Sequence, residues 1–341
     1  MHPQTKYKSM KSLSIVIPVY NVENYIRANM ESIFRQGLSD DCFEVIIIDD
    51  GTNDRSIEVI SDIIELHPNI TVVKQENQGL SVARNNGIAL ATGEYILMPD
   101  SDDLLVFDSL PPLLHAALES KADLVVADFL ETNDAETVIM QEVPQTEFTI
   151  KEKTGKQLFL EDLNPYESYV WRTLFKREFL LKHQMTFFPG ICFQDVPFTN
   201  ECYIRAEKCL RTSWLLNIYR KREGSATYSF SKKKAIDMCI VIGKTWQLRH
   251  INGLTSPIIQ KLEDNVYATF SVLFYSMMHS IKSHQERIEI VRRLNQEVPD
   301  LLFSKNLKRK AESLMVRRLP RAYLLVRDLH WKWIRHSRVE F

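Results

Sequence analysis

Hydrophobic positions follow two different periods along the first hundred residues of the chain. Continuous apolar, β-branched runs predict strands at 13–20, 43–51, 70–76 and 94–100. Apolar residues spaced three and four apart predict amphipathic helices between them, at 22–36, 56–67 and 81–91. Strands that alternate with single helices form βαβ units with right-handed crossovers. We therefore predict an α/β fold with a mostly parallel, Rossmann-like sheet.

Polar side chains cluster just after each predicted strand. They comprise Asn21 and Glu23, Asp49 and Asp50, the segment 77–79, and the carboxylates Asp100, Asp102 and Asp103. Ligands of open parallel sheets bind beyond the carboxyl ends of the strands, so we expect a ligand site at this edge. The carboxylates of "PDSDD" would bind a hard divalent cation, or they form an ordinary acidic turn.

The turn after the first predicted strand, "PVYNVE", contains no glycine. The dinucleotide-binding motif G-x-G-x-x-G is therefore missing at this turn, and the phosphate loop G-x-x-x-x-G-K-[ST] is missing from the sequence. Asp50, at the end of the second strand, is suited to accept hydrogen bonds from a base or a ribose. The alternative is that Asp50 caps the helix that follows it.

Composition and charge exclude several other classes of protein. The 341 residues carry a net charge of −1, which gives the whole chain no attraction for nucleic acid. The five cysteines include no C-x-x-C pair, which argues against a disulfide framework and a zinc site. We see no signal peptide and no apolar run of about 18 residues, so we expect a soluble, cytoplasmic protein. The sequence indicates no oligomeric state.

The chain after residue 230 has helical periodicity and ends in a basic tail, residues 305–338. The tail carries eleven Lys and Arg residues against Glu312 and Asp328, interleaved with apolar residues that include Trp331 and Trp333. A basic amphipathic helix of this kind binds an anionic membrane surface. The alternative is a solvated basic face whose apolar stripe docks onto the main domain. No base-reading motif accompanies the tail, so we do not expect nucleic acid as a partner.

Four segments in the first half of the chain resemble the family 2 glycosyltransferases of the GT-A fold. They are "SIVIPVYNVENYI", "EVIIIDDGTNDRS", "NQGLSVARNNGI" and "GEYILMPDSDDLL", within about residues 12–110. The resemblance resumes over about 170–227. It implies a GT-A catalytic domain at 1–228, with a nucleotide-sugar half at 12–110 and an acceptor half at 111–228. The remaining residues, 229–341, would form a helical C-terminal region.

The resemblance also implies roles for residues at the predicted sheet edge. The D-x-D element matches Asp100-Ser101-Asp102, which implies that Asp102 binds Mn²⁺ or Mg²⁺ and that Asp100 orients the metal and holds the donor. Asp103 would support these ligands or start a helix. The residues implied to bind the nucleotide sugar are Pro18, Tyr20, Glu23, Asp50, Arg84 and Asp100. For Arg84, a structural salt bridge is the alternative.

The acceptor half contains the candidate base. In "GICFQDVPF", Asp195 matches the family's base, with a helix cap as the alternative, and Gln194 replaces the glutamate that usually precedes it. Gln194 and Trp171 are candidates for acceptor contact, although Trp171 also suits a core position. Arg222 and Ser225, in "YRKREGSAT", suit a lid over the diphosphate or an ordinary exposed turn.

Together these features predict an inverting, metal-dependent glycosyltransferase. It would move a sugar from a UDP-sugar to a hydroxyl of a glycan or lipid-linked acceptor in cell-surface polysaccharide biosynthesis. We expect it in the cytoplasm, with peripheral contact at the inner face of the membrane if the tail binds lipid. A non-catalytic sugar-nucleotide-binding or scaffold protein of the same fold is the alternative. A sugar-1-phosphate nucleotidyltransferase would need a glycine-rich basic loop where "PVYNVE" stands.

Overall fold

The computed structural model describes residues 11–133, 148–164, 167–221 and 230–337, with the side chains of 330–337 left out. The strands are β1 (Leu13–Val19), β2 (Phe43–Asp49), β3 (Ile70–Lys74), β4 (Tyr95–Leu97), β5 (Leu104–Leu105), β6 (Leu124–Thr132), β7 (Ile150–Lys153), β8 (Thr173–Lys176) and β9 (Cys209–Arg220). The first helices are α1 (Ile26–Phe34), α2 (Ser61–Leu66), α3 (Leu80–Leu90), α4 (Leu110–Ser120), α5 (Gly155–Glu161) and α6 (Arg177–Lys182). The later helices are α7 (Asp195–Arg205), α8 (Lys232–Gln247), α9 (Ser256–Ser280), α10 (His284–Glu297), α11 (Leu307–Arg318) and α12 (Pro320–Ser337).

The strands form one mixed sheet in the order β3-β2-β1-β4-β8-β6-β9-β5, with β7 also paired to β9. The strands β3, β2, β1 and β4 are parallel neighbours, as predicted from the alternating pattern. Beyond β4 the sheet becomes mixed, because β8 runs antiparallel to both β4 and β6. The predicted α/β class is confirmed.

Several predicted helices and strands were longer than the observed ones. The first helix begins at Ile26 instead of Val22, because Asn21 adopts a positive φ of 52° and the chain turns before the helix starts. The helix predicted at 56–67 is a 3₁₀ turn at Glu58–Ile60 followed by α2. The described strands β6 and β7 each pair with β9 and not with each other. Residues 134–147 lie outside the described residues.

The strands β1, β2 and β4 are buried on both faces, which explains why they read as continuous apolar runs, whereas the edge strand β3 is partly exposed. All seven residues of β1 are buried. Helix α3 packs so closely on β1 that a Cβ atom placed on Gly87 would lie 2.1 Å from Cγ1 of Val16. Glycine is therefore required at this point of the helix–sheet contact.

The chain divides into two compact units. The first unit is Met1–Leu158, Tyr169–Gly190 and Arg205–Arg222. The second unit is Phe159–Ser168, Ile191–Ile204 and Glu223–Phe341, and its core is formed by α8 to α12. Two segments of the predicted catalytic domain, 159–168 and 191–204, therefore group with the C-terminal helices. Across the part of the chain that the structure describes, no helix is both long enough and apolar enough to cross a bilayer.

Candidate active site

The loop between β4 and β5 brings three carboxylates together at the carboxyl edge of the sheet. The backbone N–H of Asp103 donates to the carbonyl oxygen of Asp100 at 3.2 Å and closes a tight turn. Asp100 and Asp102 are half-buried, whereas Asp103 is buried. We call residues 100–103 the carboxylate loop.

Asp103 faces inward from the carboxylate loop. Its Oδ1 accepts a hydrogen bond from the backbone N–H of Arg220 at 2.9 Å, and its Oδ2 is buried without a hydrogen-bond partner. Burial, followed by the charges of Asp100 and Asp102, raises the pKa of Asp103 to about 9. The carboxyl group is therefore neutral at neutral pH, which removes one charge from the cluster. The alternative that Asp103 starts a helix is wrong, because β5 follows it.

The backbone of the carboxylate loop is held by buried polar side chains of α1. Nδ2 of Asn29 donates to the carbonyl oxygens of Asp100 and Asp103, at 3.1 and 2.8 Å. Oγ of Ser32, one turn further along the helix, accepts from the backbone N–H of Leu105 at 3.0 Å. Asn29 thus bridges the two ends of the loop.

Gln36 extends this row of polar contacts past the end of α1. Its Nε2 donates to the carbonyl oxygen of Val106 at 2.8 Å, and its Oε1 accepts from the backbone N–H of Leu110 at 2.9 Å. The buried positions of Asn29, Ser32 and Gln36 were not predicted, because polar residues on an amphipathic helix usually face solvent. Their spacing of three and four residues is the pattern that would have placed them on one face.

Arg84 reaches the carboxylate loop from α3. Its Nη2 donates to Oδ1 of Asp100 at 2.5 Å, and its guanidinium carbon lies 5.3 Å from the centre of the Phe187 ring. The side chain is 1% exposed, and Nε and Nη1 are buried without hydrogen-bond partners. The salt bridge that was the alternative for Arg84 is therefore present, and it leaves two buried donors unsatisfied beside the loop.

Asp50 organises the turn that precedes α3. Its Oδ1 accepts from Nε2 of Gln75 and from the backbone N–H of Gln78, and its Oδ2 accepts from the backbone N–H of Gly79, each at 2.8 Å. Asp50 is buried, so these bonds fix the turn firmly. The carboxylate thus supports α3, and not the helix that directly follows Asp50 as the capping alternative proposed.

The other residues predicted around the nucleotide occupy the ends of β1 and the turn after it. Pro18 is buried within β1, and Tyr20 is 45% exposed. Oε2 of Glu23 accepts from the backbone N–H of Arg55 at 3.0 Å, and the backbone N–H of Glu23 donates to Oδ2 of Asp54 at 2.9 Å. Glu23 therefore connects the loop after β1 to the loop after β2, and the exposed ring of Tyr20 belongs to the first of these loops.

Trp171 lies in a 3₁₀ turn, Val170–Arg172, and is 2% exposed. Its ring contacts those of Phe129, Tyr169 and Tyr219. The core position that was the alternative for Trp171 is thus the one observed. An acceptor sugar would have to displace its neighbours to reach this ring.

Asp195 and Gln194 belong to the second unit. Asp195 is the first residue of α7 and is half-buried, and Gln194 before it is buried. The predicted helix start is therefore found. Arg222 and Ser225 lie outside the described residues.

Asp100 and Asp102 supply the hard oxygen donors that Mg²⁺ and Mn²⁺ prefer. Their negative charges both raise the pKa of Asp103, so the carboxylates lie close enough to interact. Within the described ranges, no group of three or more His, Cys, Asp and Glu side chains is arranged to hold a metal. The loop therefore fits a cation that takes two carboxylates from the protein and its remaining ligands from phosphate oxygens and water.

The sequence model of glycosyl transferase family 2 matches residues 14–180, the region that contains the carboxylate loop, Asp50 and Arg84. Residues 14–180 therefore belong to glycosyl transferase family 2. The uncharacterized glycosyltransferase EpsJ of Bacillus subtilis (strain 168) is 34% identical over 217 residues, which are 63% of this chain. The chain spans 62% of the length of EpsJ.

Two solved structures share the fold at low sequence identity. Residues 1–349 of S. aureus TarS, in complex with UDP-GlcNAc, match with a TM-score of 0.69 and 20% identity, over 94% of this chain and 89% of TarS. The mannosyltransferase PcManGT of Pyrobaculum calidifontis, in complex with GDP-Man and Mn²⁺, matches with a TM-score of 0.53 and 15% identity, over 94% and 88% of the two chains. These matches confirm the predicted GT-A fold for this family member.

Replacing Asn29 should loosen the carboxylate loop selectively. Asn29→Ala removes the side-chain donor from the buried carbonyl oxygen of Asp103 and one of two donors from that of Asp100, which we expect to cost about 1–3 kcal/mol of unfolding free energy. Hydrogen exchange of the backbone amides at 103–106 should accelerate. Asn86→Ala is the matched control, because Asn86 is exposed and its Nδ2 donates to the side-chain Oε1 of Gln75 at 2.7 Å. Equal effects of the two changes would contradict the role of Asn29.

The buried carboxyl of Asp103 should make stability depend on pH. The pKa of Asp103 is about 9 in the folded protein and 3.8 ordinarily. Between these pH values the folded state holds a proton that the unfolded state releases. The stability of the fold therefore falls as the pH rises from the lower value to the higher one. Asp103→Asn keeps an acceptor for Arg220 and cannot ionise. The variant should therefore gain stability relative to the wild type from about pH 4.5 to about pH 8.5.

The measurement is denaturant unfolding of both proteins across this pH range. Asp41→Asn, at an exposed position, is the control for the loss of a carboxylate that is not buried. A stability difference between Asp103→Asn and the wild type that stays constant with pH would show that Asp103 is ionised in the folded state.

Proposed function

We propose that the protein is an inverting glycosyltransferase that transfers a sugar from a UDP-sugar to a hydroxyl of a cell-surface glycan or lipid-linked acceptor. The observation that carries the proposal is the carboxylate loop, which is anchored by Arg84 and Asn29 at the carboxyl edge of the sheet. A rigid loop of this kind positions a charged donor with little loss of entropy on binding. The family match over residues 14–180 supports the same conclusion.

Asp102 and Asp100 are the residues that would hold Mn²⁺ or Mg²⁺. When bound, such a cation would neutralise charge on the diphosphate leaving group. Arg84 fixes the orientation of the Asp100 carboxylate through their ion pair. Asp103, being neutral, lessens the repulsion that the other two carboxylates experience before a cation arrives.

The uridine carrier is proposed from the residues at the ends of β1 and β2. Tyr20 offers an exposed aromatic ring, Pro18 an apolar surface, and Asp50 a carboxylate with capacity for a further hydrogen bond. The complex of TarS with UDP-GlcNAc supports uridine, whereas that of PcManGT with GDP-Man gives guanosine as the competing carrier. Glu23 would hold the surrounding loops, and Arg222 with Ser225 would cover the diphosphate.

Asp195 is the proposed base. In a single displacement, the acceptor oxygen bonds to the anomeric carbon, the bond from that carbon to the diphosphate breaks, and Asp195 takes the hydroxyl proton. The positive end of the α7 dipole stabilises an ionised carboxylate at the first helical residue, and only the ionised form can accept the proton. Gln194 would contribute an amide beside the acceptor. Attack from the face opposite the leaving group inverts the anomeric configuration.

Turnover of a panel of donors tests this function. Wild-type protein should hydrolyse at least one of UDP-glucose, UDP-galactose, UDP-GlcNAc and GDP-mannose in the presence of Mn²⁺, with a UDP-sugar preferred. Asp195→Asn should bind the same donor but turn over about 10² to 10⁴ times more slowly, the usual contribution of a general base. Asp102→Asn is the contrasting variant, because it should weaken donor binding mainly when Mn²⁺ is present.

Three outcomes would count against the proposal. Full activity of Asp102→Asn in chelator-treated buffer would contradict the proposed role of a metal ion. A product with retained anomeric configuration would contradict the single-displacement mechanism. Tight binding of a UDP-sugar with no turnover of any donor would favour the alternative, a sugar-nucleotide-binding protein without catalysis.

We further propose that the tail places the enzyme at the cytoplasmic face of an anionic membrane. One face of α12, with Tyr323 and Leu324, is buried in the core of the second unit, as the docking alternative requires. The opposite face leaves Leu325, Val326 and Leu329 more than half exposed. Exposed cations nearby, such as Arg318 and Arg321, would favour anionic lipid, whereas the side chains of Trp331 and Trp333 lie outside those described.

The membrane proposal is tested with full-length variants, because truncation near residue 300 would remove Tyr323 and Leu324 from the core. Leu325→Glu with Leu329→Glu should abolish co-sedimentation with anionic liposomes. The matched control is Leu66→Glu with Leu90→Glu, at exposed positions of the first unit. Wild-type binding should weaken with salt, because the Debye length falls from about 10 Å at 0.1 M to about 3 Å at 1 M. Equal sedimentation of the two double variants would leave α12 as a docking element only.

A further inference from the structure

Three aromatic rings of the first unit lie nearly parallel. The Tyr169 and Trp171 centroids are 4.7 Å apart at 13°, and those of Trp171 and Tyr219 are 5.8 Å apart at 15°. The Tyr169 and Tyr219 centroids are 6.0 Å apart at 28°. In a column of three stacked rings the outer pair would be about twice as far apart as neighbouring rings. Tyr169 and Tyr219 therefore lie on the same side of the Trp171 ring, with Phe129 edge-on to Tyr169 and Trp171.

The three rings differ in how much of their surface is exposed to solvent. Trp171 is 2% exposed and forms the base of the group, whereas Tyr169 and Tyr219 are half-buried and keep part of their surface in solvent. The guanidinium carbon of Arg172 lies 5.1 Å from the centre of the Phe129 ring, and its Nη2 binds Asp128 at 3.0 Å. These contacts hold the strand that carries Phe129 against the turn that carries Trp171, so the aromatic surface is fixed before any ligand arrives.

The aromatic surface is tied directly to the carboxylate loop. Tyr219 precedes Arg220, whose backbone N–H donates to Oδ1 of Asp103 at 2.9 Å. The strand pairing of β5 with β9 places Leu104 opposite Ile218, the residue before Tyr219. Since consecutive Cα atoms are about 3.8 Å apart, the backbone of Tyr219 lies beside the carboxylate loop.

The order of strands separates this surface from the nucleotide side. The residues proposed for the base lie at the ends of β1 and β2, on one side of β4. The strands β6 and β9, which carry Phe129 and Tyr219, lie on the other side of β4, beyond β8. The carboxylate loop starts at the end of β4 and leads to β5, which pairs with β9, so it extends from β4 towards this surface.

We propose that Tyr169 and Tyr219, supported from beneath by Trp171, form a stacking platform for a sugar ring of the acceptor. The inference rests on the proposed function, since it places the acceptor on the side of the carboxylate loop opposite the nucleotide. The C–H face of a pyranose is apolar and flat, and aromatic rings that expose a face and carry a hydroxyl offer both apolar contact and a hydrogen bond to it. Trp171 is thus a positioning residue, and the tyrosines make the contact.

The experiment measures binding of simple saccharides by saturation-transfer NMR titration without donor or metal. The probes are the methyl β-glycosides of glucose, galactose and N-acetylglucosamine. Wild-type protein should bind at least one of them, and Tyr169→Ala and Tyr219→Ala should each weaken that binding about tenfold by removing a ring face. Tyr169→Phe and Tyr219→Phe keep the ring and should restore most of the affinity. Tyr275→Ala, which removes an exposed ring in the second unit, is the matched control and should change nothing.

Three results would overturn the platform: no binding of any glycoside to the wild type, equal binding by the alanine variants, or displacement of the glycoside by UDP. Thermal unfolding of each variant separates loss of the platform from loss of the fold, and the phenylalanine variants remain informative if an alanine variant unfolds. Donor hydrolysis by wild-type protein is measured in parallel. Its absence would count against the proposed function, whereas the glycoside titration reports on the platform by itself.

Discussion

Repulsion among the three carboxylates of the loop after β4 is the constraint around which the site is built. Asp100, Asp102 and Asp103 occupy three of four consecutive positions. Like charges this close destabilise one another and any fold that gathers them. Each carboxylate is accommodated differently. Asp100 pairs with the buried guanidinium of Arg84, Asp103 is kept neutral by burial, and Asp102 stays half-buried and keeps contact with solvent.

The cost of gathering these charges is offset by polar side chains that are buried in elements far away in sequence. Asn29 of α1 holds both ends of the loop, and Asp50 at the end of β2 fixes the turn from which α3 carries Arg84 towards Asp100. Each of these contacts joins a side chain to backbone groups, so the geometry is set before a ligand binds. A preorganised site of this kind loses less free energy on ordering its ligand than a flexible one would.

The sequence could predict the elements whose residues have only local reasons for their pattern. The strands β1 and β2 are continuous apolar runs because they are buried on both faces, and this pattern does not depend on which strand pairs with them. The carboxyl-edge placement of Asp50 and Asp100 follows from that alternation. The roles of Asn29 and Trp171 could not be predicted, because a polar residue on a helix and a tryptophan in a loop become buried only through tertiary packing.

Tertiary packing also explains Gln194, the position at which the chain departs from the family pattern. Gln194 is 3% exposed, and a glutamate so deeply buried would need a cation beside it or would have to stay protonated. An amide satisfies the same position with hydrogen bonds alone. The substitution thus removes a second acid next to Asp195 at the start of α7, and two adjacent carboxylates would have raised the proton affinity of each other. If Asp195 is the base as proposed, its half-buried carboxylate would accept the proton without a second acid beside it.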